Sequence, residues 1–516
     1  MDKLIYTLVA AFFISFNCIA QPGSLDPGFG TGGKVTTAIG SSNDIGRSIA
    51  IQGDGKIVVA GFSNNGSYNE IALTRYITTG ILDTTFGTGG KVTTGIGSYY
   101  CMANAVTMQG DGKIVVAGLR SNGTNDDIAL VRYNTAGSLD TTFGIGGIVT
   151  TAIGTFNEEA SSVAIQGNGK IVVAGYSYNP TAQFALVRYT NTGALDAGFG
   201  IGGKVTTAVG GLIDLGLSMA IQSDGKIIIS GASNNGSDND FALARYDTAG
   251  TLDATFGNGG IVITAVGNSD DYGRAVAIQS DGKIVVGGEG SSGSMNSDFA
   301  LVRYDTTGHV DTTFGNSGKV ITPIGSTDER GFSVVIQPDD KIVVAGDSYL
   351  GTDDDFALVR YNTTGNQDST FGNNGIVTTD FGNYNDVGIS AAIQSDGKIV
   401  VAGASYNGVN LDFALARYNS TTTGITNVEE QHPGIKIYPN PFIHSATIEI
   451  QNTKFPAENL ELIIYDVLGQ QVHQQTLISQ KETLILNLTG GIYFYKVSVA
   501  GNQGETIADG KLVSAE

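Results

Sequence analysis

The phrase Asp-Gly-Lys-Ile-Val-Val-Ala-Gly at Asp54–Gly61 recurs seven times along the chain, with close variants. Successive copies lie 56 to 58 residues apart, and their lysines are Lys56, Lys113, Lys170, Lys226, Lys283, Lys341 and Lys398. Two further phrases, Leu-Asp-x-x-Phe-Gly and Ala-Leu-x-Arg-Tyr, recur with the same period. A period this regular predicts an array of one structural unit.

Each repeat unit contains four short segments that are typical of β-strands. In the first unit they are Ser48–Gln52, Lys56–Phe62, Ile71–Tyr76 and Lys91–Ile96. No unit has apolar residues at helical spacing, and turn residues separate the segments. Four antiparallel strands in a unit of about 57 residues fit a propeller blade, whereas the coils of the alternative, a parallel β-helix, are shorter. The sequence therefore predicts an all-β fold, a seven-bladed β-propeller of four-stranded blades.

The order of the segments predicts how the propeller closes. The chain opens with an outer strand, Lys34–Ile39, that has no partner in its own unit, and the seventh unit ends after its third strand at Tyr418. We expect the N-terminal strand to complete the seventh blade, because this leaves no open edge in the ring. In the sixth repeat Asp340 replaces a turn glycine, so a positive φ with local strain is expected there.

The first 20 residues have the layout of a secretory signal peptide. Lys3 precedes an apolar run at residues 4–15, and Cys18 and Ala20 place small residues where a signal peptidase cleaves. Lipidation of Cys18 is the alternative, although the residues before it match a lipidation signal poorly. Cleavage after Ala20 leaves Cys101 as the only cysteine, which excludes an internal disulfide. No later segment has the roughly 18 apolar residues needed to span a bilayer.

We expect four segments: a signal peptide at 1–20, the propeller at 21–420, a linker at 421–434 and a C-terminal domain at 435–516. The linker is rich in serine, threonine and turn residues. The C-terminal domain has alternating segments at Ile435–Tyr438, Ala446–Ile450, Leu460–Val467, Thr483–Leu488 and Ile492–Val499. This pattern predicts a small Ig-like β-sandwich.

Both parts of the chain are similar to known bacterial families. The repeats over residues 25–418 resemble the delta-60 repeat of bacterial secreted proteins, which implies a propeller fold without an assigned reaction. The tail resembles type A sorting domains of the type IX secretion system, through Tyr438-Pro439-Asn440-Pro441, Tyr465–Gly469, Gly491-Ile492-Tyr493 and Gly510–Val513. This second resemblance implies that residues 435–516 bind the type IX machinery and that a Gram-negative cell exports the protein to its outer surface. An accessory β-sandwich is the alternative.

Composition excludes several partners and kinds of chemistry. The formal net charge of -21 repels nucleic acid and anionic lipid. Of 4 histidines only His309 lies in the propeller, so almost no histidine is present there for a catalytic triad or a histidine-rich metal site. The arginine and the aspartate of the repeated phrases are expected to make structural bonds within or between blades, since a reaction requires one asymmetric site; the sequence leaves open whether the two residues pair with each other.

The connections between strands fall into a uniform set and a variable set. The first-to-second and third-to-fourth turns are nearly identical in every copy, whereas the other two connections differ. Each set lies on one face of a propeller, so we expect the variable loops to form a recognition face. The candidate binding residues are Tyr99, Tyr100, Glu158, Glu159, Asp270, Asp271, Tyr272, Asp328, Tyr384 and Asp386. Weaker candidates for a calcium site are Asp238, Asp240, Asp353, Asp354 and Asp355.

The sequence favours a secreted or surface-attached binding or adhesion module. Its ligand would be an extracellular protein, a glycan or a cation that contacts the variable loops. One alternative is a purely structural surface protein whose loops vary by neutral drift. Another is a glycan hydrolase that uses a pair of carboxyl groups. No catalytic residue is predicted, and calcium is the only cofactor considered.

Overall fold

The computed structural model of the chain forms two compact units, Met1–Thr423 and Gly424–Glu516. It describes residues 21–291, 296–325, 327–382 and 384–421 of the first unit. In the second unit it describes residues 435–450, 456–466, 470–486, 488, 491–499 and 506–514. The expected signal peptide and nearly all of the expected linker lie outside these ranges. Among the described residues, no helix has the length and apolar character required to cross a bilayer.

The described part of the first unit consists of strands and the turns between them. Strand β1 spans Lys34–Thr37 and precedes the first blade. Blades 1 to 4 contain β2 (Asp44–Ile51), β3 (Ile57–Asn64), β4 (Asn69–Tyr76), β5 (Lys91–Thr94), β6 (Cys101–Met108), β7 (Ile114–Ser121), β8 (Asp126–Tyr133), β9 (Ile148–Thr151), β10 (Glu158–Ile165), β11 (Ile171–Tyr178), β12 (Ala182–Tyr189), β13 (Lys204–Thr207), β14 (Asp214–Ile221), β15 (Ile227–Asn234), β16 (Asn239–Tyr246) and β17 (Ile261–Thr264). Blades 5 to 7 contain β18 (Tyr272–Ile278), β19 (Ile284–Gly290), β20 (Asp298–Tyr304), β21 (Lys319–Thr322), β22 (Glu329–Ile336), β23 (Ile342–Tyr349), β24 (Asp354–Tyr361), β25 (Ile376–Thr379), β26 (Asp386–Ile393), β27 (Ile399–Tyr406) and β28 (Leu411–Tyr418).

These strands form seven antiparallel four-stranded sheets, as the repeats predict. Six sheets use four consecutive strands, and the seventh has the order β1-β28-β27-β26. In the seventh sheet β1 pairs with β28 from Lys34↔Ala416 to Thr37↔Phe413. The first strands of neighbouring blades contact one another in turn, and β26 of blade 7 contacts β2 of blade 1. Both observations are consistent with the predicted closure of the ring.

The second strand of each blade is covered on both sides, as its unbroken apolar sequence predicts. Seven of the eight residues of Ile57–Asn64 are buried. Gly61 in this strand has no room for a side chain, because a Cβ atom there would lie 1.9 Å from the carbonyl oxygen of Ile45. The first strand begins at Asp44, four residues before the predicted Ser48. The polar residues at the start of this strand are typical of a loop, so the sequence analysis placed the strand too late. Asp44 itself is fully buried.

The repeated arginine and aspartate meet in every blade. The Arg–Asp nitrogen–oxygen distances are 2.6 to 3.0 Å, in Arg75–Asp83, Arg132–Asp140, Arg188–Asp196, Arg245–Asp253, Arg303–Asp311, Arg360–Asp368 and Arg417–Asp26. Each guanidinium also lies 4.3 to 4.6 Å from the ring centre of the repeated phenylalanine. A second nitrogen donates to a carbonyl oxygen of the next blade, such as that of Thr135 from Arg75. The cluster therefore joins neighbouring blades.

The repeated tyrosine makes a second interblade bond that the sequence analysis did not anticipate. Tyr76 donates from its hydroxyl to Thr37 Oγ1 on the outer strand of the preceding blade, at 2.9 Å. The same bond occurs in the other six blades at 2.8 to 3.0 Å. Burial raises the pKa of Tyr76 to about 12, so the hydroxyl stays protonated and remains a donor.

Asp340 adopts the positive φ that its place in the sixth repeat predicts, with φ at 60°. Its carboxylate accepts hydrogen bonds from the backbone N–H of Ser280, at 3.1 Å, and from the Ser280 hydroxyl, at 2.6 Å. Ser280 belongs to the first turn of blade 5, so the side chain that replaces glycine links two blades. These bonds offset part of the strain.

The second unit is a small β-sandwich, as predicted. Its elements are β29 (Ile435–Ile443), β30 (Ser445–Ile450), a 3₁₀ helix (Ala457–Asn459), β31 (Leu460–Tyr465), β32 (Gln471–Thr476), β33 (Lys481–Ile485), β34 (Gly491–Val499) and β35 (Thr506–Ser514). The strands β29-β30-β33 and β32-β31-β34-β35 form two groups, joined at Phe442↔Ser514. Ile448 and Leu484 of one group share a core with Leu462 of the other.

Candidate recognition face

The two kinds of variable loop lie side by side. The backbone N–H of Asp126, after the second strand of blade 2, donates to Asn157 Oδ1 in the connection to blade 3, at 3.1 Å. The N–H of Asn239 donates to Asp270 Oδ1 between blades 4 and 5, at 2.9 Å. Equivalent bonds occur at the next three junctions. We call the face formed by these connections the variable face, and the opposite one the uniform face.

The predicted tyrosines differ in exposure. Tyr99 is 50% exposed, Tyr100 37% and Tyr384 48%. The Tyr100 hydroxyl donates to the Asp126 carboxylate at 2.8 Å, so its ring is fixed. Tyr272 is half-buried, and its hydroxyl accepts a hydrogen bond from Asn239 Nδ2. Three of the four tyrosines therefore present much of their surface to solvent.

The predicted acidic residues divide into exposed and buried groups. Asp270 and Asp328 are exposed and accept backbone bonds from the neighbouring loop. Glu159 is half-buried and accepts hydrogen bonds from Asn104 Nδ2, at 2.9 Å, and from the Tyr176 hydroxyl, at 2.5 Å.

Glu158, Asp271 and Asp386 do not belong to the accessible surface, which corrects the prediction for these three residues. Each is 0% exposed and stands at the start of a first strand or directly before it. Their carboxylates accept hydrogen bonds from backbone N–H groups four or five residues earlier, such as Gly154 to Glu158 at 2.9 Å and Phe381 to Asp386 at 2.7 Å. They fix the entry of the chain into the blade, a structural role that a loop-like sequence conceals.

Buried carboxyl groups at the start of the first strands make the free energy of unfolding depend on pH. Burial raises the pKa of Glu158 and Asp271, and burial together with the nearby Asp298 raises the pKa of Glu329. Between the ordinary carboxyl pKa and the raised one, the folded chain binds more protons than the unfolded chain, so stability falls as pH rises.

We therefore expect a higher melting temperature at pH 5 than at pH 7.5, measured by differential scanning fluorimetry. Glu329→Gln should reduce this difference, because the amide does not ionise. Asp214→Asn is the matched control, since the Asp214 carboxylate already accepts bonds from Val209, Gly211 and Ser233. A melting temperature that rises steadily from pH 5 to 7.5 would contradict this reasoning.

A cavity of about 460 Å³ opens on the variable face between blades 5 and 6. Every residue that lines it has a side chain with a polar group: Glu289, Ser297, Thr327, Asp328, Arg330, Tyr349 and Asp354. Asp328 is one of the predicted binding residues, and Asp354 is one of the predicted calcium candidates. The cavity thus combines one cationic group with three carboxylates, two hydroxyls and a tyrosine.

Arg330 is held firmly in the cavity wall. Its Nη2 lies 2.5 Å from Asp347 Oδ2 and its Nε 3.1 Å from Oδ1, a two-point ion pair. The guanidinium also lies 5.5 Å from the Phe332 ring centre and 3.9 Å from the Asp354 carboxylate. Burial raises the pKa of Asp347 to about 6, although Arg330 opposes this shift. The Arg330 side chain is 41% exposed, so part of the guanidinium remains free to contact a ligand.

Sequence reasoning missed Glu289 and Asp347, which stand where the repeats differ within a strand. The residue after the last glycine of the recurring phrase is Phe62, Leu119, Tyr176, Ala232, Glu289, Asp347 or Ala404. Only blades 5 and 6 carry an acid there, and each acid pairs with an arginine, Glu289 with Arg274 and Asp347 with Arg330. A comparison of the strands as well as the loops reveals this signal.

The five weaker calcium candidates lie in two separate segments of the chain, and most of them stabilise their own loop or strand. Asp238 and Asp240 both accept hydrogen bonds from Asn235 Nδ2 and stabilise their own loop. Asp353 accepts one from Thr352. Asp354 and Asp355 are adjacent on β24 and so point to opposite sides of the sheet.

Asp355 instead lies near two acidic residues from other parts of the chain. One carboxylate oxygen each from Asp355, Asp380 and Asp386 lies within 4.8 Å of the other two, and no other such acidic, histidine or cysteine trio occurs in the described residues. Burial, followed by repulsion from Asp380, raises the pKa of Asp355 to about 6. Burial also raises the pKa of Asp386 to about 6.

Seven stretches of the chain match one family profile, described as a domain of unknown function (DUF5122) beta-propeller. They are residues 52–86, 109–143, 166–199, 222–256, 279–314, 337–371 and 394–421. The chain belongs to this family. Residues 436–508 of the DUF5122 protein match a second profile, the secretion system C-terminal sorting domain. The sorting domain directs the DUF5122 protein to the cell surface or the medium through the type IX secretion system.

Several solved structures show a weak similarity to the chain. PorZ of Porphyromonas gingivalis, an essential surface component of its type IX secretion system, is 11% identical, with 89% of this chain and 68% of PorZ covered and a TM-score of 0.32. The polysaccharide lyase Uly1 is 11% identical, with 72% and 90% covered and a TM-score of 0.39. A puromycin hydrolase is 11% identical, with 85% and 62% covered and a TM-score of 0.40. No curated protein sequence matches the chain. Similarities this weak say nothing about function.

In the DUF5122 propeller the predicted binding residues are spread around the ring. Tyr99 and Tyr100 stand between blades 1 and 2, Asp270 between blades 4 and 5, and Tyr384 between blades 6 and 7. Of the ten predicted residues, Asp328 alone lines the cavity. The cavity is therefore a more compact candidate site than the predicted set.

Proposed function

We propose that the DUF5122 propeller is a binding module that recognises an extracellular glycan or protein through the cavity between blades 5 and 6. The observation that carries the proposal is the asymmetry of this junction. Glu289, Arg330 and Asp347 occupy positions where most other blades have apolar residues. Among the described residues, ion pairs between an arginine of the first strand and an acid of the second, Arg274–Glu289 and Arg330–Asp347, occur in blades 5 and 6, so the common frame does not require them.

The chemistry of the cavity favours a polar ligand. Arg330 offers donors, while Glu289, Asp328 and Asp354 offer acceptors, and Tyr349 adds an aromatic ring. The two-point ion pair to Asp347 fixes Arg330 before a ligand arrives, which lowers the entropy lost on binding. An oligosaccharide or a polar peptide loop presents hydroxyl, amide and charged groups of this kind. Export by a Gram-negative cell, after removal of a signal peptide, would bring the cavity into contact with such ligands.

Glycan and protein arrays probed with the purified protein test the proposal. Once a ligand is found, Tyr349→Ala and Asp328→Ala should each weaken its binding at least tenfold, about 1.4 kcal/mol, since buried contacts near an interface centre dominate affinity. A parallel variant with alanine at Tyr99, Tyr100, Tyr272 and Tyr384 shows whether the predicted tyrosines contribute.

Ile201→Ala is the matched control, because Ile201 is 90% exposed on the uniform face. Its binding should equal that of the unaltered protein. Equal binding by the cavity variants and the control would refute the cavity as the site. An array without any ligand would favour a structural surface protein, and cleavage of an arrayed glycan would favour the hydrolase alternative.

A further inference from the structure

Buried carboxyl groups recur at the junctions between blades. Every junction has the same two positions. One lies near the start of a blade's third strand, and the other lies at the start of the next blade's first strand. The pairs are Glu70 with Cys101, Asp127 with Glu158, Gln183 with Asp214, Asp240 with Asp271, Asp298 with Glu329, Asp355 with Asp386 and Asp412 with Asp44. Both positions carry an acid at five of the seven junctions. Two acids at a junction are therefore a common feature of this propeller.

The junction of blades 6 and 7 departs from this frame by one residue. Asp380, directly after β25, adds a third carboxyl group to Asp355 and Asp386. At the six equivalent positions the chain has Ala38, Gly95, Ala152, Ala208, Ala265 and Pro323. Since none of these residues ionises, the propeller frame does not require the third acid.

The three carboxylates are held close together by the backbone around them. Asp386 is 0% exposed, and its Oδ2 accepts a hydrogen bond from the N–H of Phe381. The Asp380 Oδ1 accepts one from the N–H of Gly382, at 2.6 Å, and Lys34 Nζ donates to the Asp380 carbonyl oxygen, at 2.8 Å. These contacts fix the loop so that the two acids stay near each other.

Asp355 provides the second indication of a ligand. Its side chain is 7% exposed, and its Oδ1 is buried without a hydrogen-bond donor. A buried carboxylate oxygen without a partner is costly, and two further carboxylates beside it increase the cost. A cation at the meeting point of the three groups satisfies this oxygen and neutralises the repulsion.

We propose that Asp355, Asp380 and Asp386 form a calcium-binding site between blades 6 and 7. Oxygen atoms bound to one Ca²⁺ ion, at about 2.3–2.6 Å each, lie at most about 5 Å apart, which fits a group within 4.8 Å. Mg²⁺ demands a near-ideal octahedral geometry and gives up its water molecules reluctantly, so a group of three carboxylates favours Ca²⁺. Water molecules complete the coordination from the side of Asp380, which is exposed to solvent. The bound ion joins the two blades.

Isothermal titration calorimetry of the full protein with CaCl₂ at pH 7.5 tests the site. We expect one ion per chain with a Kd between about 10⁻⁴ and 10⁻³ M, the range of extracellular modules, and weaker binding of Mg²⁺. Asp380→Ala should weaken Ca²⁺ binding at least tenfold. This variant preserves the fold, because alanine occupies the same position in four other repeats. Asp355→Asn should have the same effect.

The next junction supplies the matched control. Asp412→Asn alters the residue equivalent to Asp355 where Ala38 stands in the place of Asp380, so its Ca²⁺ affinity should equal that of the unaltered protein. Absence of Ca²⁺ binding by the unaltered protein would overturn the proposal. Unchanged binding by Asp380→Ala, or equal affinity for Mg²⁺, would overturn it as well, since either result indicates attraction to the acidic surface in general.

Discussion

A chain that begins at Ser41 is expected to melt about 10 °C or more below a chain that begins at Leu25, or to aggregate. The shorter chain lacks β1, so the seventh blade loses its outer strand and the hydrogen bonds to β28. Each ladder bond contributes about 1 kcal/mol, and a loss of 1 kcal/mol lowers the melting temperature of a large domain by about 2–4 °C.

The truncation removes more than a strand ladder. Phe29 is fully buried in the cluster that joins blades 7 and 1, and it stacks on the Arg417 guanidinium. Asp26 is the ion-pair partner of Arg417, at 2.8 Å. Loss of both leaves Arg417 buried without its carboxylate. The expected destabilisation is thus a large part of the 5–15 kcal/mol that stabilises a typical domain.

The chain that begins at Leu25 is the matched reference, because it retains Asp26, Phe29 and β1. It should melt somewhat below the chain that begins at Gln21, because residues 22–24 make backbone hydrogen bonds to Gly372 and Asn419. Melting is followed by differential scanning fluorimetry, with light scattering to detect aggregation. Equal melting of the Ser41 and Leu25 chains would show that β1 does not support the seventh blade.

Arg132→Ala is expected to destabilise the propeller by about 3–5 kcal/mol, because it removes the buried cation that pairs with the Asp140 carboxylate. Arg132 Nε lies 2.8 Å from Asp140 Oδ2, and both side chains are less than 10% exposed. The pKa of Asp140 is held at about 2, through its hydrogen bonds to Thr142 and the charges of Arg132 and Lys113. Its stabilising effect is complete above pH 3.8 and is lost as pH falls through about 2.

Lys113→Met is the matched control for this prediction. Lys113 Nζ lies 3.4 Å from the same Asp140 oxygen, but the lysine side chain is 31% exposed. An exposed ion pair contributes about 0–1 kcal/mol, so this variant should unfold in urea at nearly the same concentration as the unaltered protein. A similar midpoint for Arg132→Ala would show that the repeated arginine is not a structural link between blades.

The fold could be predicted because the same pattern of strands and turns occurs in seven copies of one unit. A strand that is ambiguous in one copy is clear in another, and the unbroken apolar second strand marks the middle of every blade. The arginine and aspartate, eight residues apart in most repeats, were expected to have structural roles, but their pairing could not be predicted because it depends on how the third strand turns back on itself. The Tyr76–Thr37 bond was missed because it joins two blades.

The candidate site was predicted less well, for two physical reasons. Polar residues that begin a buried strand look like loop residues, so Glu158, Asp271 and Asp386 were assigned to the surface although their carboxylates cap backbone N–H groups. Groups that meet across blades also lie far apart in sequence. Asp355 was grouped with its neighbour Asp354, whereas side chains alternate along a strand and the two face opposite sides.

In the C-terminal unit, alternation identified the strands that contribute to the core but not every strand. Strand β32, Gln471–Thr476, is polar and mostly exposed, and it pairs with β31 at the edge of its group. An edge strand without a buried face has no alternating pattern to recognise. Strand β35, Thr506–Ser514, was missed for a different reason: the polar Asp509-Gly510-Lys511 interrupts its apolar residues, although Leu512 is buried in the core.

Disulfide trapping between β1 and β28 tests the closed ring most directly. Thr36 and Ala414 are opposite residues in the antiparallel ladder, so their Cα atoms lie about 4.5–5.5 Å apart, within reach of a disulfide. With Cys101 changed to alanine, Thr36→Cys and Ala414→Cys should form one intramolecular disulfide, detected by mass spectrometry of the linked peptides. Thr36→Cys with Ala402→Cys, one strand further in, should leave both thiols free. Free thiols in the first pair under oxidising conditions would contradict a ring in which the beginning of the propeller completes its last blade.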